Sequence, residues 1–497
     1  MPFIDFYVKD LDMATGGPLV AVINHDDAEA LDLHLGDRIL LRKNSRKVVA
    51  IVDVSYNARV LPRGQIGLLE EVLKKLNVRK NSLVKLAIAN KPKSVQFVKK
   101  KLEGHSLKPW EIFSIIKDVV GDELSDIELS SFVSACFVHG MSNNEIVALT
   151  NALIDTGQKI RFEKGPIMDL HSIGGVPGDR TTMIVVPIVA AAGLKIPKTS
   201  SRAITSPSGT ADTMETLANV SVSLSKMKRI VNRVGGCILW GGAINLAPAD
   251  DKIIRVEHPL AIDAEGQLIA SVMAKKGSVG ATNVVIDIPV GPNAKIKNEK
   301  NAVRLGRKFK RIGKELKMNV MTAVTDGSQP IGNGIGPALE ALDVLSVLKN
   351  EPDCPKDLRA KSLFIASLLL EFGNAVKKGQ GMNKSMELLE SGAAYEKMKD
   401  IINAQGKAPK ERLRLGRYSW DVKASSSGKI KYIDILQLSK AAKIAGAPKD
   451  YGAGIYLYRH VCDSVGKGQL LYTLYAQSLQ KLNYAKEFLR ENPFLKL

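Results

Sequence analysis

The spacing of apolar and polar positions changes character along the chain. Up to about residue 85 it is strand-like: "FIDFYVKDLD", "GGPLVAVINHDDAEAL", "GDRILLRKNSRKVVAIVDVS" and "LVKLAIAN" are short β-branched segments cut by Gly, Asp and Asn turns. The phrase from Leu31 to Arg38, followed by two strands, suits a small β-barrel with one short helix. From about 105 to 160 the period becomes helical, with Asp122, Ser125 and Ser142 at N-cap positions and Gly140 and Gly157 as stops. From about 166 the apolar runs "IMDLHSIGG", "TTMIVVPIVAAAGLKIPKTS", "CILWGG", "NVVIDIPVG" and "NVMTAVTDG" alternate with helices, which is the α/β signature. A helical stretch, "LAIDAEGQLIASVMAKKGSVG", interrupts them. After about 415, strand-like "YSWDVKASSSGKIKYID" and "GIYLYRHV" flank a helix.

At 497 residues the chain exceeds what one core supports. The expected class is a multidomain α/β protein. Residues 1–84 form a β-barrel-like extension and 85–165 a helical domain to which 258–283 return. Residues 166–257 and 284–414 are expected to form an α/β domain, and 415–497 a C-terminal α+β domain.

Composition narrows the class. Hydrophobic residues make up 45% and charged residues 25%, as in soluble globular proteins. The apolar run over 183–194 is well short of the ~20 residues a membrane helix requires. The N-terminal segment carries Asp5, Asp10 and Asp12 and does not read as a secretory leader, so the expectation is a cytoplasmic protein without a membrane partner. Cys136, Cys237, Cys354 and Cys462 are far apart and form no CxxC or Cys/His cluster, which predicts reduced structural thiols. His139, His258 and His460 have no metal-ligand spacing, so no metal is expected. The net charge of +20 is dispersed, and the aromatics, 5% of the chain, are not interleaved with the basic runs. That argues for a solvated surface that steers a phosphorylated substrate. A basic nucleic-acid-binding protein is the non-enzymatic alternative and predicts salt-dependent binding to bulk RNA.

The candidate chemistry begins with "SSRAITSPSGTADTMETL" from Ser200. Six hydroxyls, Arg202 and Gly209 precede an amphipathic helix, which is what an anion needs: side-chain donors and free N–H groups facing one way. Gly174 and Gly175 follow His171 and Ser172 at a strand end, where a glycine pair lets backbone N–H groups approach phosphate. Lys295 lies just beyond a strand, at the end where α/β proteins bind ligands.

These segments resemble the thymidine/pyrimidine nucleoside phosphorylase family over about residues 105–490. "GMSNNEIVALTNALIDTG", "DLHSIGGVPGDRTTMIVVPIVAAAG", the hydroxyl-rich stretch, "LIASVMAKK" and "TDGSQPIGNGIGPALEALDVL" follow the family's blocks in order. The β-rich extension resembles the archaeal branch, whose members act on AMP. Leu170 stands where the nucleoside enzymes carry the Lys of Asp-Lys-His-Ser, and Pro177 looks inserted. The resemblance implies phosphorolysis of AMP to adenine and ribose 1,5-bisphosphate, with CMP and UMP as further substrates. Inorganic phosphate is then the co-substrate and no cofactor is required. Thymidine or pyrimidine nucleoside phosphorolysis and phosphoribosyl transfer are the rival enzyme readings. The resemblance also implies a homodimer or larger homo-oligomer. Its site residues fall on Gly175, Ser201, Arg202, Ala203, Ile204, Thr205, Ser206 and Thr210 around the nucleotide and phosphate, with Thr210 capping a helix. Lys295 would meet a phosphate, Ser271 and Lys275 would read the base, and Asp263 would protonate it. Asp263 would need burial or a like charge to hold its proton, with Glu257 and Glu265 as candidate neighbours.

Overall fold

The computed structural model describes residues 3–163, 165–203, 206–260 and 262–497. It separates into two units. The first runs to Thr156 and includes Pro248–Ser271; the second holds Gly157–Ala247 and Val272–Leu497.

In the first unit six strands, β1 (Ile4–Asp10), β2 (Val20–Asn24), β3 (Arg38–Lys43), β4 (Arg46–Ser55), β5 (Gln65–Leu68) and β6 (Leu83–Ile88), close in the order β1-β5-β2-β4-β3-β6. Alternation does the sorting: β1 buries Phe6 and Val8 and exposes Tyr7 between them. Two helices serve this sheet rather than the one expected, α1 (His25–Ala30) and α2 (Glu70–Leu76). A bundle follows: α3 (Ser94–Leu102), α4 (Pro109–Val120), α5 (Asp126–His139) and α6 (Asn143–Asp155). Ser125 and Ser142 cap α5 and α6 through reciprocal bonds with Glu128 and Glu145. Asp122 is not a cap. It takes a left-handed φ of 57° and pairs with Lys75 and Lys252.

The second unit opens with β7 (Met168–Ser172), α7 (Thr181–Ala191), β8 (Ile196–Ser200), α8 (Thr210–Glu215), α9 (Leu224–Val234) and β9 (Gly236–Trp240). The chain returns to the first unit in α10 (Pro248–Leu260), and α11 (Glu265–Ser278) is divided between the units after Ser271. It resumes with β10 (Asn283–Val290), α12 (Glu299–Glu315) and β11 (Asn319–Asp326). The strands β11, β10 and β7 are parallel; β7 meets β8 at the parallel bridge Ile167–Lys195, and β8 pairs β9. The apolar run "TTMIVVPIVAA" is α7 and not a strand. Residues 181–190 are all buried, so no polar face marks the helical period. In the C-terminal region a short strand at Gly334–Ile335 completes an antiparallel sheet with Gly454–Leu457, Leu470–Ala476 and Tyr418–Lys423. Helices Ile435–Ile444 and Leu479–Glu491 accompany these strands, two where one was expected.

Candidate active site

In the second unit β7 carries Asp169, Leu170, His171 and Ser172 toward its C-terminal end, and the chain then turns through Gly174 and Gly175. Gly175 has φ of +96°, and a Cβ there would lie 3.5 Å from the Lys295 backbone nitrogen. Only glycine holds that conformation without strain. The turn therefore runs beside the loop after β10, and two of the expected residues, Gly175 and Lys295, come together.

Charge is concentrated at this end of β7. Lys198 of β8 donates to the Leu170 carbonyl at 2.7 Å and stands 3.7 Å from Asp169 Oδ1. Lys276 of α11 donates to the same carbonyl at 3.1 Å and stands 2.9 Å from Asp169 Oδ2. All three charged side chains are buried. Burial, and then the neighbouring Lys276, bring Lys198 down to about 7. Enclosure, with Lys276, Lys198, Lys275 and Lys295 around it, holds His171 well below its ordinary range, so the imidazole is neutral near neutral pH. Among the described residues, the buried hydroxyls of Ser172, Thr181 and Thr199 have no hydrogen-bond partner. Buried hydroxyls are normally satisfied, so three orphans near the ends of parallel strands and the start of α7 mark a place built for a ligand.

The hydroxyl-rich stretch is arranged differently. Arg202 donates through Nη1 and Nη2 to Glu215 at 2.6 and 2.9 Å and through Nη1 to Asp212 at 3.1 Å, with its guanidinium over Trp240. The guanidinium fork is thus engaged by the Glu215 carboxylate. Thr210 is not the cap: it is the first residue of the six-residue α8, and Gly209 is the N-cap. Asp212 accepts from the Gly209 and Ala203 nitrogens at 2.9 and 2.7 Å. Gly209 is required here, because a Cβ would fall 2.6 Å from the Ser201 carbonyl. Thr210 Oγ1 accepts from Arg180 at 3.3 Å, Ser206 Oγ donates to the Ser208 carbonyl at 3.0 Å, and Ser201 is exposed. Ile204 and Thr205 lie outside the described residues. Beneath the stretch, buried Glu340 accepts from Arg180 at 2.5 Å and from Thr213 Oγ1 at 2.6 Å.

In the first unit Ser271 Oγ donates to buried Asp250 at 2.9 Å. Asp263, between α10 and α11, is exposed. Of the two alternatives expected there, burial or a like charge, burial is absent, because a short connection between two helices runs over the surface.

Comparison with known proteins identifies the family. Residues 164–395 match the a/b domain of the glycosyl transferase family, 95–157 its helical bundle domain, and 429–493 the pyrimidine nucleoside phosphorylase C-terminal domain. An AMP phosphorylase from Methanococcus maripaludis (strain C7) is 43% identical over 484 residues, 97% of this chain and 95% of that protein. Its counterpart from Methanococcus vannielii is 43% identical over 99% of this chain and 96% of that protein. A putative thymidine phosphorylase from Legionella pneumophila (strain Paris) is 44% identical over 91% of this chain and 87% of that protein. The chain belongs to the AMP and thymidine phosphorylase family. A solved structure of anthranilate phosphoribosyltransferase from Thermus thermophilus shares the fold, with a TM-score of 0.52 at 17% identity, covering 62% of this chain and 98% of that one.

Sequence reasoning about this member of the AMP and thymidine phosphorylase family missed Lys198, Lys276, Asp169, Thr181 and Thr199. One signal was available: a lysine inside the apolar "LKIPKTS" run is an anomaly, since lysine is almost never buried unless paired. The pairing of Asp179 and Asp287 through Lys361, at 2.7 and 2.9 Å, was equally invisible, because the three residues are far apart in the chain.

Proposed function

We propose that the chain cleaves the N-glycosidic bond of AMP with inorganic phosphate, releasing adenine and ribose 1,5-bisphosphate, with CMP and UMP as further substrates. The observation that carries this reading is the end of β7, where four lysines surround a neutral histidine and three buried hydroxyls have no partner among the described residues. Such a place suits an anion-rich reaction. Near-full-length identity to proteins named AMP phosphorylase supports AMP over other nucleotides.

A phosphate oxygen attacks the anomeric carbon while the bond to the base breaks and its electrons pass to the base. The transition state resembles an oxocarbenium ion, as in glycoside cleavage. Gly175 and the stretch from Ser201 to Ser206 would hold the phosphate and nucleotide, with Thr210 donating to phosphate. Arg202 would act on the stretch through Glu215 and Asp212. Lys295 would pair with the 5′-phosphate. Ser271 would orient the base and Asp263 would protonate it. Positioning of this kind supplies up to roughly 7–11 kcal/mol in the best cases.

A thymidine-cleaving enzyme is the second reading, favoured by the Legionella relative. Release of free base from a panel of AMP, CMP, UMP and thymidine, with phosphate present, decides between them. Base released from thymidine and not from AMP overturns the proposal. We further propose that the protein is a homodimer or larger homo-oligomer in which residues 1–84 extend the assembly. Light scattering of residues 85–497 should report fewer subunits per particle than the full chain, and an unchanged subunit number would count against residues 1–84 as the assembly element.

A further inference from the structure

The strand β8 is buried, yet a lysine stands at its centre. Lys198 faces Asp169 and His171 on β7 and Lys275 and Lys276 on α11. Lys295, after β10, acts on the same His171. On the neighbouring β9, the Cys237 thiol is pushed up by its burial and then by Asp169, so it stays neutral and adds no anion. Two ammonium groups thus share one buried carboxylate and one carbonyl oxygen. An enclosed surplus of positive charge is costly, and releasing one proton relieves it. Lys276 holds the closer contact to Asp169, 2.9 Å against 3.7 Å, so Lys198 is the group that yields. A bound anion reverses the balance.

We propose that Lys198 takes up a proton when the anionic substrate binds at the end of β7, and so supplies the cation that Leu170 at that strand does not. The proposal rests on reading this end of the sheet as the phosphate site. Its logic is that the empty site avoids a buried excess of charge, whereas the loaded site gains a charge-assisted contact. Lys198 is poised for this because its titration falls near neutrality, at about 7. It is a binding residue whose charge state follows occupancy.

The test is calorimetric titration of the full chain with sulfate, which stays dianionic through neutral pH, in buffers of different ionisation enthalpy. Inorganic phosphate is the second probe. Sulfate binding near pH 7 should take up on the order of half a proton per ion, because a group titrating at about 7 is half charged there. Phosphate, which itself titrates near neutrality, reads affinity alone. The uptake should vanish by about pH 5.5, where Lys198 is already charged. Lys198→Met should abolish the uptake and weaken both anions roughly 10- to 100-fold, whereas His171→Gln should keep the uptake. Binding without uptake in the wild-type protein, or uptake that persists in Lys198→Met, overturns the proposal. If Lys198→Met does not fold, uptake lost in His171→Gln assigns the proton to the imidazole and overturns it equally. A protein that turns over AMP but binds neither anion removes Lys198 from the site. One that binds, takes up the proton and releases no base overturns the phosphorylase reading instead.

Discussion

Two polar regions of the second unit differ in how completely they satisfy themselves. Around α8, Arg202 pairs with Glu215 and Asp212, Arg180 pairs with Glu340, and Thr213 bonds both Ser208 and Glu340. At the end of β7, two lysines share one carboxylate and three buried hydroxyls have no partner among the described residues. Both regions are rich in groups that could hold phosphate. A cluster that closes its own hydrogen bonds holds shape, while one left open is organised for something that arrives. The sequence offers the opposite ranking, because hydroxyls and an arginine in "SSRAITSPSGT" are conspicuous and a lysine within an apolar run is not.

The largest expected effect tests whether proton transfer lies outside both regions. Asp263→Asn keeps size and hydrogen bonding but cannot protonate a departing base. General acid catalysis typically contributes ~10²–10⁴-fold, so kcat on AMP should fall by about that factor with little change in binding. The loss should shrink for an N7-alkylated purine nucleotide, whose base leaves without a proton. Equal loss on both substrates, or near-normal turnover of AMP, would mean that Asp263 is not the acid.

Arg180→Met attacks the closed region. It strands Glu340, which is almost wholly buried, without its cation. Breaking one side of such a pair costs ~3–5 kcal/mol, so the urea unfolding midpoint should drop sharply. Arg180→Lys should recover only part, because a lysine cannot reproduce the separate contacts to Glu340 and the Ser208 carbonyl. An unchanged midpoint would mean that this cluster is not structural.

How much of this was legible follows from range in the chain. The caps at Ser125 and Ser142 are local, their glutamates three residues on, and they were read correctly. The strands β7, β9, β10 and β11 announced themselves as short apolar runs. The helix α7 did not, since complete burial erases periodicity. Gly175 and Lys295, each expected separately, lie side by side, but the cations and the carboxylate next to them come from β7, β8 and α11. Lys276 and the Leu170 carbonyl are 106 residues apart, a separation that local patterns do not encode. For Arg202 a single sequence shows the capacity for a bidentate pair but not which partner fills it, and the structure supplies Glu215.

Lys295→Ala probes the open region at its edge. Losing a charge-assisted contact to phosphate costs ~1.5–3 kcal/mol, which should weaken AMP roughly 10- to 100-fold. A nucleoside has no 5′-phosphate to lose, so its turnover should change far less. Equal losses on both substrates would assign Lys295 to inorganic phosphate.

The smallest effects give the cleanest contrast, because one substitution can be made in both regions. Thr213→Val and Thr199→Val each exchange a buried hydroxyl for a methyl of nearly the same volume. Thr213 Oγ1 donates to Glu340 at 2.6 Å, so its loss should lower stability by about 1 kcal/mol and leave the KM for phosphate unchanged. Thr199 Oγ1 has no partner among the described residues, so its loss should leave stability within about 0.5 kcal/mol or raise it. If that hydroxyl serves a bound phosphate, the KM for phosphate should rise about fivefold, the equivalent of one ordinary hydrogen bond. The two variants should therefore separate on two axes, one moving the unfolding midpoint and the other the phosphate KM. Both variants moving the midpoint alone would mean that the orphan hydroxyls are ordinary core groups, and that the difference between the two regions is one of packing and not of function.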